Sequence, residues 1–404
     1  MNNNSHPFFL NKVKSRFLLL VALSVCYAMT SQAQQTITSK DAWAKFPEII
    51  KGITTPVFQD KVFNILDFGA RPDGVFDNTV AIKKAIEKCT KKGGGVVLVP
   101  AGKYFTGPIH LDNNVNLHLA EGAEILFNTD PAVFPIVHTT FEGTECMNYS
   151  PLIYAYNKQN VAVTGKGTLN GQGSNEKWWP WCGSTRYGWK KDTPNQKEDV
   201  YKLMDLADKN VPVSERIFGK GHYLRPNFIE FFECKTVLIQ GVQIVNTPFW
   251  VIHPMKSVNV IVDGVSIKSH GPNNDGCDPE YSKNVWIKNT TFDTGDDCIA
   301  IKSGRDNDGR RVAIKSENII VQDCKMYDGH GGVTIGSEIS AGVSNVYVEN
   351  CVMDSPELDR AIRKKSNSRR GGLVENVFVR NIKVGEVKES VLGIDLHYGV
   401  HGNQ

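Results

Sequence analysis

The chain has 404 residues, of which 41% are hydrophobic and 22% are charged, enough apolar residues for a large buried core. It contains 46 Lys and Arg residues against 43 Asp and Glu residues, a formal net charge of +3. So small an excess excludes a strongly basic protein that binds nucleic acid or acidic membranes through its overall charge.

The start of the chain, over positions 1–33, has the composition of an export signal. Three basic residues between positions 12 and 16 precede an apolar stretch over 17–26, and Ser31-Gln32-Ala33 offers small residues for cleavage. The chain is therefore predicted to be exported, to the periplasm or to the medium. A lipoprotein acylated on Cys26 is the alternative, disfavoured because Val25 is larger than the residue that usually precedes such a cysteine.

Cleavage of this signal changes the charge balance. Residues 1–33 contain three basic residues and no acidic ones, so 43 Lys and Arg remain beside 43 Asp and Glu. A neutral mature chain has no overall field that draws it to nucleic acid or to a membrane, and neither partner is predicted. Any attraction for an acidic ligand must come from a local cluster of cations.

One helix is predicted near the start of the main domain, which follows a linker over 34–60 and runs over 61–404. The helix begins at Asn78 or Thr79. Its apolar residues recur at helical spacing, at Ala81, Ile82, Ala85, Ile86 and Cys89. We expect this helix to cap an open end of the domain.

Short β-like runs recur through the rest of the domain. Each run opens with Asn or Thr followed by Val or Ile and ends at Gly, Asp or Asn. The opening residues are Asn160, Thr236, Asn259, Asn284, Asn318, Asn345 and Asn376. From Thr236 onward the intervals between them are similar but unequal, which is typical of solenoid coils of variable length. The sequence therefore predicts an all-β fold, a right-handed parallel β-helix with an N-terminal capping helix.

The interval 178–225 interrupts this repeat. Its aromatic residues include Trp178, Trp179, Trp181, Tyr187, Trp189 and Tyr201, among many charges. The interval is too polar for a core and too aromatic for a linker, so it either packs on the flank of the solenoid or supplies a wall on which sugars stack. We expect it to be an insertion that folds over one end of a groove.

Polar residues recur at equivalent places on successive coils. The separation of Asp296 and His330 along the chain equals that of Asn284 and Asn318, which predicts adjacent coils about 4.8 Å apart. The candidate site residues are Asn273, Asp275, Asp296, Asp297, Lys302, His330, Arg363, Lys365 and Tyr398. Asp275 alone is equally well explained by a turn. Asp296 and Asp297, however, hold like charges together at a cost in free energy, and that favours a function.

Eight cysteines remain after the predicted cleavage, an even number that permits disulfides. Cys277, Cys298, Cys324 and Cys351 lie in strand-like runs, where a small apolar side chain stacks well inside a solenoid, so buried free thiols are expected. No metal and no cofactor are predicted. The acids alternate with Lys and Arg, which disfavours a calcium cage.

The motifs resemble those of a known family. The strings PNNDG, TGDDCIAIKSG and GHGG, the cluster Arg363-Lys364-Lys365 and the ending IDLHYG follow an opening DFGA and GGGVVLVPAG. In this order they are similar to the polygalacturonase family of glycoside hydrolases, from about Val62 to Tyr398. The departures inside motifs, Asn274 and Lys364, stand at middle positions and keep the flanking functional groups. Members usually continue for further coils, so we expect a β-helix truncated at its C-terminus.

The resemblance implies inverting hydrolysis of α-1,4 galacturonosyl bonds in de-esterified pectin. Asp296 would be the general acid, with its pKa raised by repulsion from the neighbouring carboxylates. Asp275 and Asp297 would hold and deprotonate the attacking water. His330 would hydrogen-bond to the acid and set its protonation state.

The resemblance also implies an acidic polysaccharide, such as pectin or oligogalacturonate, as the partner of a monomeric enzyme. Asn273, Lys302, Arg363, Lys365 and Tyr398 would bind it, with the cations on the substrate carboxylate. If the insertion over 178–225 closes one end of the groove, the enzyme acts on chain ends. An open groove, which would allow cuts within the polymer, is the rival.

Three alternatives remain on sequence grounds. A rhamnogalacturonan hydrolase shares the scaffold, although the intact Asp296, Asp297 and His330 favour a polygalacturonase. A pectate or pectin lyase needs an Arg or Lys base, with calcium or a neutralised carboxylate, rather than a pair of acids that hold water. A β-helix adhesin would need no such cluster, since fold alone does not imply function.

Overall fold

The computed structural model describes residues 37–399, in two compact units that divide between Lys45 and Phe46. Of the first unit it describes residues 37–45, which contain the start of helix α1 (Ser39–Lys51). The predicted signal and Cys26 lie outside the described residues. No helix in the described part is both long and apolar enough to cross a membrane.

The second unit consists mainly of strands. In chain order the described strands are β1 (Val62–Asn64), β2 (Asp73–Asp77), β3 (Gly95–Val99), β4 (Gly102–Thr106), β5 (Ile109–His110), β6 (Val115–Leu119), β7 (Ala123–Phe127), β8 (Ile136–Phe141), β9 (Thr144–Tyr149), β10 (Ile153–Tyr156), β11 (Gln159–Gly165), β12 (Thr168–Asn170), β13 (Ile229–Phe232), β14 (Lys235–Gln240), β15 (Gln243–Val245), β16 (Ile252–Met255), β17 (Val258–Asp263), β18 (Ser266–Ser269), β19 (Lys283–Lys288), β20 (Thr291–Thr294), β21 (Ile299–Ile301), β22 (Ser316–Gln322), β23 (Lys325–Asp328), β24 (Val333–Ile335), β25 (Val343–Glu349), β26 (Arg360–Lys365), β27 (Val374–Arg380) and β28 (Ser390–Asp395). The helices of this unit are α2 (Thr79–Lys91), α3 (Lys197–Asp208) and α4 (Asp306–Val312), with 3-10 turns at Ile65–Phe68, Pro131–Val133, Trp179–Cys182, Thr185–Tyr187 and Val213–Glu215.

The strands form three parallel faces. Sheet A has ten strands in the order β1-β3-β6-β11-β14-β17-β19-β22-β25-β27, and sheet B has eight in the order β2-β4-β7-β12-β15-β18-β20-β23. Sheet C has two four-stranded parts, β5-β10-β13-β16 and β21-β24-β26-β28. Isolated β-bridges at Cys277 and Glu280 connect strand β16 of the first part with the coil that contains β21 of the second. An antiparallel hairpin, β8–β9, stands outside the three faces. The chain is thus a right-handed parallel β-helix, as predicted.

An asparagine ladder sets the register of sheet A. The side-chain amide of Asn376 donates to Asn345, that of Asn345 to Asn318, and that of Asn318 to Asn284, at 3.1, 3.1 and 2.9 Å. Each of these asparagines has φ between 57° and 59°, a left-handed conformation that Asn tolerates better than most residues. The opening residues of the predicted runs are therefore turn residues that also bond to one another.

The intervals between the opening asparagines match the strand registers. Val260 pairs with Val285, Val285 with Ile319, and Ile319 with Val346. Each of these residues directly follows an opening asparagine, so the paired residues are as far apart along the chain as the asparagines are. These side chains are fully buried in one continuous core. All eight cysteines of the described chain are free thiols, and seven of them are buried, which confirms the expectation of stacked thiols over disulfides.

Helix α2 confirms the prediction for the N-terminal region. Its predicted apolar stripe is buried and packs on the first coil. The helix begins at Thr79, whose amide donates to Oδ1 of Asp77 at 2.9 Å. Asn78 makes no capping bond, because its side chain is buried and bonded to the backbone of Arg71 and Phe105 instead.

The insertion between β12 and β13 contains α3 and three of the 3-10 turns. Trp178 is buried, Trp179, Trp181 and Trp189 are half-buried, and Tyr201 is exposed. Trp178 packs edge-on against Trp181, and Phe134 packs edge-on against Trp178. This packing supports the prediction of an insertion attached to the flank of the solenoid.

Candidate active site

The predicted site residues lie on successive rungs of sheet C. Asp296 and Asp297 precede β21, His330 precedes β24, and Arg363 and Lys365 lie in β26. The backbone of these rungs is directly bonded, since the amide of His330 donates to the carbonyl of Asp296 at 3.2 Å. Residues far apart in sequence are therefore brought together by the stacking of coils, as the equal separations along the chain predicted.

Three carboxylates form the centre of this group. One oxygen each from Asp275, Asp296 and Asp297 lies within 4.8 Å of the other two. Asp275 and Asp297 are almost fully buried, and the side chain of Asp296 is 18% exposed. Asp296 is therefore the acid that a ligand reaches most easily.

Asp297 is fixed by three donors. Lys365 Nζ lies 2.6 Å from Oδ2, the hydroxyl of Thr334 donates to Oδ1 at 2.8 Å, and Arg363 Nη1 lies 3.5 Å from the same oxygen. These partners offset the cost of burying a carboxylate and hold it in one orientation. The cations that were predicted to meet a substrate carboxylate thus also hold one of the site's own acids.

The proton distribution differs from the prediction. Burial alone would raise the pKa of Asp296, but its hydrogen bond with His330 and the charge of Lys365 outweigh burial and lower the pKa to about 2. The bond joins His330 Nδ1 and Asp296 Oδ1 at 3.0 Å and raises the pKa of His330 to about 9. The expectation that repulsion raises the pKa of Asp296 is therefore wrong for the unliganded site, because the imidazolium compensates the neighbouring acids.

Asp275, rather than Asp296, has a raised pKa. Burial first, and then the charge of Asp296, raise its pKa to about 7, against the opposing charge of Lys302. Its Oδ1 is buried without a hydrogen-bond partner among the described residues. Protonation is therefore favoured at Asp275 over Asp296, where His330 holds the carboxylate ionised.

Lys302 is surrounded by acids. Its Nζ lies 3.5 Å from Asp275, 3.4 Å from Asp278 and 3.3 Å from Glu338, and the side chain is 3% exposed. It also stands 4.4 Å from the ring centroid of Trp250. With three carboxylates around one ammonium group, Lys302 balances their charge, and this favours a supporting role over the predicted contact with a substrate carboxylate.

Asn273 is positioned by the end of the insertion. Arg225 is buried and donates from Nη2 to Asn273 Oδ1 at 2.7 Å and from Nη1 to the carbonyl of Pro272. Asn274, the first departure from the family motif, is buried and accepts from the amide of Gly271 at 2.8 Å. The middle position of this motif is therefore structural, as expected.

Tyr398 closes the other side of the group. Its ring lies beneath two cations. The guanidinium carbon of Arg363 is 5.4 Å from the ring centroid, and Nζ of Lys365 is 5.0 Å from it. Its backbone amide donates to the carbonyl of Ser366 at 3.0 Å, which ties it to the end of β26. The structure thus brings all nine predicted site residues together.

Six of these nine side chains border a small cavity of about 170 Å³, and Asp297, His330 and Arg363 lie outside its lining. It is lined by Glu142, Trp250, Asn273, Asp275, Asp296, Lys302, Arg305, Ser337, Glu338, Lys365, Arg370, Tyr398 and Gly399. Sequence reasoning missed Glu142, Trp250, Arg305, Glu338 and Arg370. Arg305 follows the string TGDDCIAIKSG directly, so its position beside a motif was a usable signal, but nothing in the repeat pointed to Glu142.

Glu142 belongs to the tip of the β8–β9 hairpin, for which the sequence predicted no role in the site. Arg305 donates from Nη1 to Glu142 Oε2 at 2.8 Å and from its backbone amide to the carbonyl of Gly143 at 3.0 Å. A segment far from the motifs along the chain therefore reaches the cavity.

The insertion braces the hairpin instead of lining the cavity itself. Met147 donates its amide to the carbonyl of Arg216, and Phe218 donates to Met147, at 2.9 and 2.7 Å. Arg216 and Asp308 of α4 form an ion pair of 2.8 Å, each side chain 1% exposed. Of the described residues that line the cavity, none falls within 178–225.

Two groups of donors have the spacing of a metal site. They are the three acids described above and the group of His270, Asp293 and Asp328. In the second group both ring nitrogens of His270 already bond to a carboxylate, at 2.8 and 3.2 Å. In the first group Lys302, Lys365 and His330 already supply positive charge. The absence of a metal thus stays a prediction.

Comparison with known proteins identifies the family. Residues 218–403 match the model of glycosyl hydrolases family 28, and residues 62–119 match that of rhamnogalacturonase A/epimerase, pectate lyase-like. The crystal structure of a hyperthermoactive exopolygalacturonase from Thermotoga maritima is 49% identical and superimposes with a TM-score of 0.86, covering 90% of this chain and 82% of that one. The chain belongs to glycosyl hydrolase family 28.

Curated members of the family are more distant. The exo-poly-alpha-D-galacturonosidase of Dickeya chrysanthemi is 28% identical over 362 residues, and a probable polygalacturonase of Vitis vinifera is 28% identical over 353 residues. The Dickeya chrysanthemi match covers 85% of this chain and 58% of the length of that relative. The Vitis vinifera match covers 84% of this chain and 64% of the length of that relative. The resemblance drawn from the motifs is confirmed at the level of the family.

Proposed function

We propose that this family 28 hydrolase cleaves α-1,4 galacturonosyl bonds of de-esterified polygalacturonate and releases its products from a chain end. The observation that carries the proposal is a cluster of three carboxylates and an imidazole beside a cavity, which two of these carboxylates and four cations line and whose one end the tip of the β8–β9 hairpin obstructs. The names of the Thermotoga maritima and Dickeya chrysanthemi relatives, both exo-acting on polygalacturonate, support it.

The proton for the leaving group comes from the His330–Asp296 pair. Asp296 is the most exposed of the three acids, and the imidazolium of His330 donates to its carboxylate through a 3.0 Å bond. When the glycosidic oxygen approaches Asp296, this proton passes from His330 through the carboxyl group of Asp296 to that oxygen, which leaves Asp296 ionised and His330 neutral. General acid catalysis of this kind contributes about 10²- to 10⁴-fold.

Water attacks in a single displacement. Asp297 is bound by Lys365 and Thr334, so it is not free to act as a nucleophile. Asp275 and Asp297 instead hold one water molecule, and its proton passes to Asp297 or to the ionised form of Asp275. Common inverting glycosidases separate acid and base by about 6.5 to 9.5 Å, whereas one oxygen of each acid lies within 4.8 Å here. The water held by Asp275 and Asp297 is therefore also close to Asp296, and the anomeric form of the product tests the inverting assignment.

Action at chain ends follows from the closed cavity. A polymer can pass through a groove that is open at both ends, but the hairpin tip contacts the coil at Arg305 and blocks one end. We expect the substrate to be an acidic polysaccharide, pectin or oligogalacturonate, and the enzyme to be an exported monomer.

One experiment on polygalacturonate tests these points together. We expect new reducing ends without ultraviolet absorbance from unsaturated uronates, a slow fall in viscosity, and first products in the β-anomeric form by proton NMR. Absorbing products would indicate a lyase, early collapse of viscosity would indicate cuts within the chain, and α-anomeric products would indicate a retaining mechanism.

A rhamnogalacturonan hydrolase is the second candidate, because residues 62–119 match the rhamnogalacturonase A/epimerase model. The two candidates differ in the sugar on one side of the bond. Digestion of polygalacturonate and of de-esterified rhamnogalacturonan I at equal uronate concentration separates them, since we expect reducing ends from the first polymer and almost none from the second.

A further inference from the structure

The closed end of the cavity is built from side chains outside the family motifs. Arg305 follows β21, Arg370 follows β26, and Glu142 occupies the hairpin tip. The cavity of about 170 Å³ is below the roughly 300 Å³ at which pockets for drug-sized ligands begin. A space of this size suits one sugar ring rather than an oligosaccharide.

The hairpin tip presses directly on the coils below it. A Cβ atom added to Gly143 would lie 2.8 Å from Cγ of Glu338 and 3.1 Å from the amide nitrogen of Arg305. Contacts this short leave no space for a polymer strand between the tip and the coils. The sugar residue at this end of the cavity must therefore be the last one of its chain.

The two lysines that line the cavity already have partners. Lys365 bonds to Asp297 at 2.6 Å, and Lys302 is surrounded by three carboxylates. The two arginines differ, because the Nε atoms of Arg305 and Arg370 are buried without a hydrogen-bond partner among the described residues. Arg305 also bonds to Glu142 through Nη1, and Arg370 bonds to Asp306 through Nη1 at 2.6 Å, while Arg370 Nη2 lies 4.0 Å from Glu338, beyond hydrogen-bond distance.

We propose that Arg370, with Arg305 beside it, binds the carboxylate of the terminal uronate residue, and that Glu142 accepts hydrogen bonds from hydroxyl groups of the same residue. A guanidinium fork matches a carboxylate in two parallel bonds. Arg370 is 7% exposed, so water competes little with this contact. The inference rests on the proposed function and assigns recognition of the chain end to this cavity.

The test compares two trisaccharides. Trigalacturonate labelled at its reducing end first shows which terminal residue the wild-type enzyme releases, and a second trimer then carries a methyl ester on that residue alone. We expect the wild type to have a kcat/KM about 10- to 100-fold lower for the esterified trimer, because a charge-assisted hydrogen bond is lost. In Arg370→Lys, which keeps the charge but not the fork, kcat/KM for trigalacturonate should fall to nearly that of the ester.

Arg369→Lys is the matched control, since Arg369 is the exposed neighbour that also pairs with Asp306, at 3.1 Å. It should retain the discrimination of the wild type. Full discrimination by Arg370→Lys would overturn the inference, whereas failure of the wild type to cleave trigalacturonate at all would overturn the proposed function instead.

A second variant keeps the inference testable if Arg370→Lys does not fold, as judged by thermal unfolding. Glu142→Gln retains the shape of the hairpin tip and removes its charge. We expect KM for trigalacturonate to rise about 3- to 10-fold, in line with the loss of a hydrogen bond to a neutral group, with kcat within twofold of the wild type. An unchanged KM would contradict the assignment of Glu142.

Discussion

The hydrogen bond between His330 and Asp296 decides where the protons of the site are held. The pKa of His330 is raised to about 9 from its ordinary 6.5, so the bond stabilises the folded chain fully below about pH 6.5 and less as pH rises through 9. The pKa of Asp296 is lowered to about 2 from 3.8, so its contribution is present above 3.8 and lost as pH falls through 2. The pair is therefore intact between about pH 4 and 8.

Replacing His330 by Gln should move the alkaline limit of activity. In the wild type His330 supplies a proton up to about pH 9, whereas in the variant Asp296 alone must carry it. We expect the alkaline limb of the kcat/KM profile, measured on polygalacturonate from pH 4 to 10, to shift down by at least one pH unit, with about 10- to 100-fold lower kcat/KM.

His270→Gln is the control for this shift. His270 also bonds to carboxylates, Asp293 at 2.8 Å and Asp328 at 3.2 Å, but neither of them is one of the three acids of the site. Its replacement should leave the pH profile unchanged. An alkaline limb that stays in place in His330→Gln would show that the imidazole does not govern the proton on Asp296.

At the scale of single residues, the sequence predicted which residues come together when their positions follow from coil spacing, as those of Asp296 and His330 do. It missed Arg305, Glu338 and Arg370, because nothing in a repeat tells which side chains outside the motifs turn towards a cavity. It also placed the raised pKa on the wrong acid. That outcome depends on which carboxylate the imidazole contacts, and only the folded geometry decides this.

Sheet A and its asparagine ladder are the element that fixes the position of every other rung. Asn318 donates to Asn284 and accepts from Asn345, at 2.9 and 3.1 Å, with φ at 57°. Asn318 thus tolerates the left-handed backbone conformation at this position, and its side chain links three coils. The repeat of Asn followed by Val or Ile was readable in the sequence because every coil needs this turn.

Asn318→Ala should destabilise the protein by about 2 to 4 kcal/mol, through two lost hydrogen bonds and an unfavourable positive φ. Asn318→Gly loses the same bonds but tolerates that φ, so it should cost about 1 kcal/mol less. Urea unfolding of the wild type and both variants measures the difference. Equal losses would mean that the left-handed turn contributes nothing to the role of Asn.

The hairpin was not readable, because the six residues on each side of Glu142-Gly143, IVHTTF and TECMNY, lack the alternation of apolar and polar residues that marks a strand. Its position depends on contacts with distant segments. Glu145 in β9 pairs with Lys256 and Arg311, and Arg216 of the insertion pairs with Asp308. Such long-range ion pairs leave no local pattern in the sequence.

At the scale of the whole molecule, the insertion and α4 hold the β8–β9 hairpin, and the tip of this hairpin obstructs one end of the cavity. Gly143→Ala should open it, because the added methyl group meets Glu338 at 2.8 Å and strains a residue with φ at +77°. We expect longer products and a faster loss of viscosity per reducing end released. Product sizing by anion-exchange chromatography and viscometry measure both.

Gly264→Ala provides the control, since Gly264 also has a positive φ, +63°, with no atom near its added Cβ. It should be strained to a similar degree but keep the short products of the wild type. If Gly143→Ala released the same products as the wild type, closure of the chain-end site would have to come from another segment.

The three acids of the site and His330 are set by rungs whose separation is a property of β-pairing, about 4.8 Å, while the coils that connect these rungs differ in length. Lengthening or shortening a turn thus leaves the distances among the reacting groups untouched. New polymer specificities are accessible by exchanging the segments that project from the solenoid, so evolution and engineering can alter which end of a chain is accepted without rebuilding the chemistry.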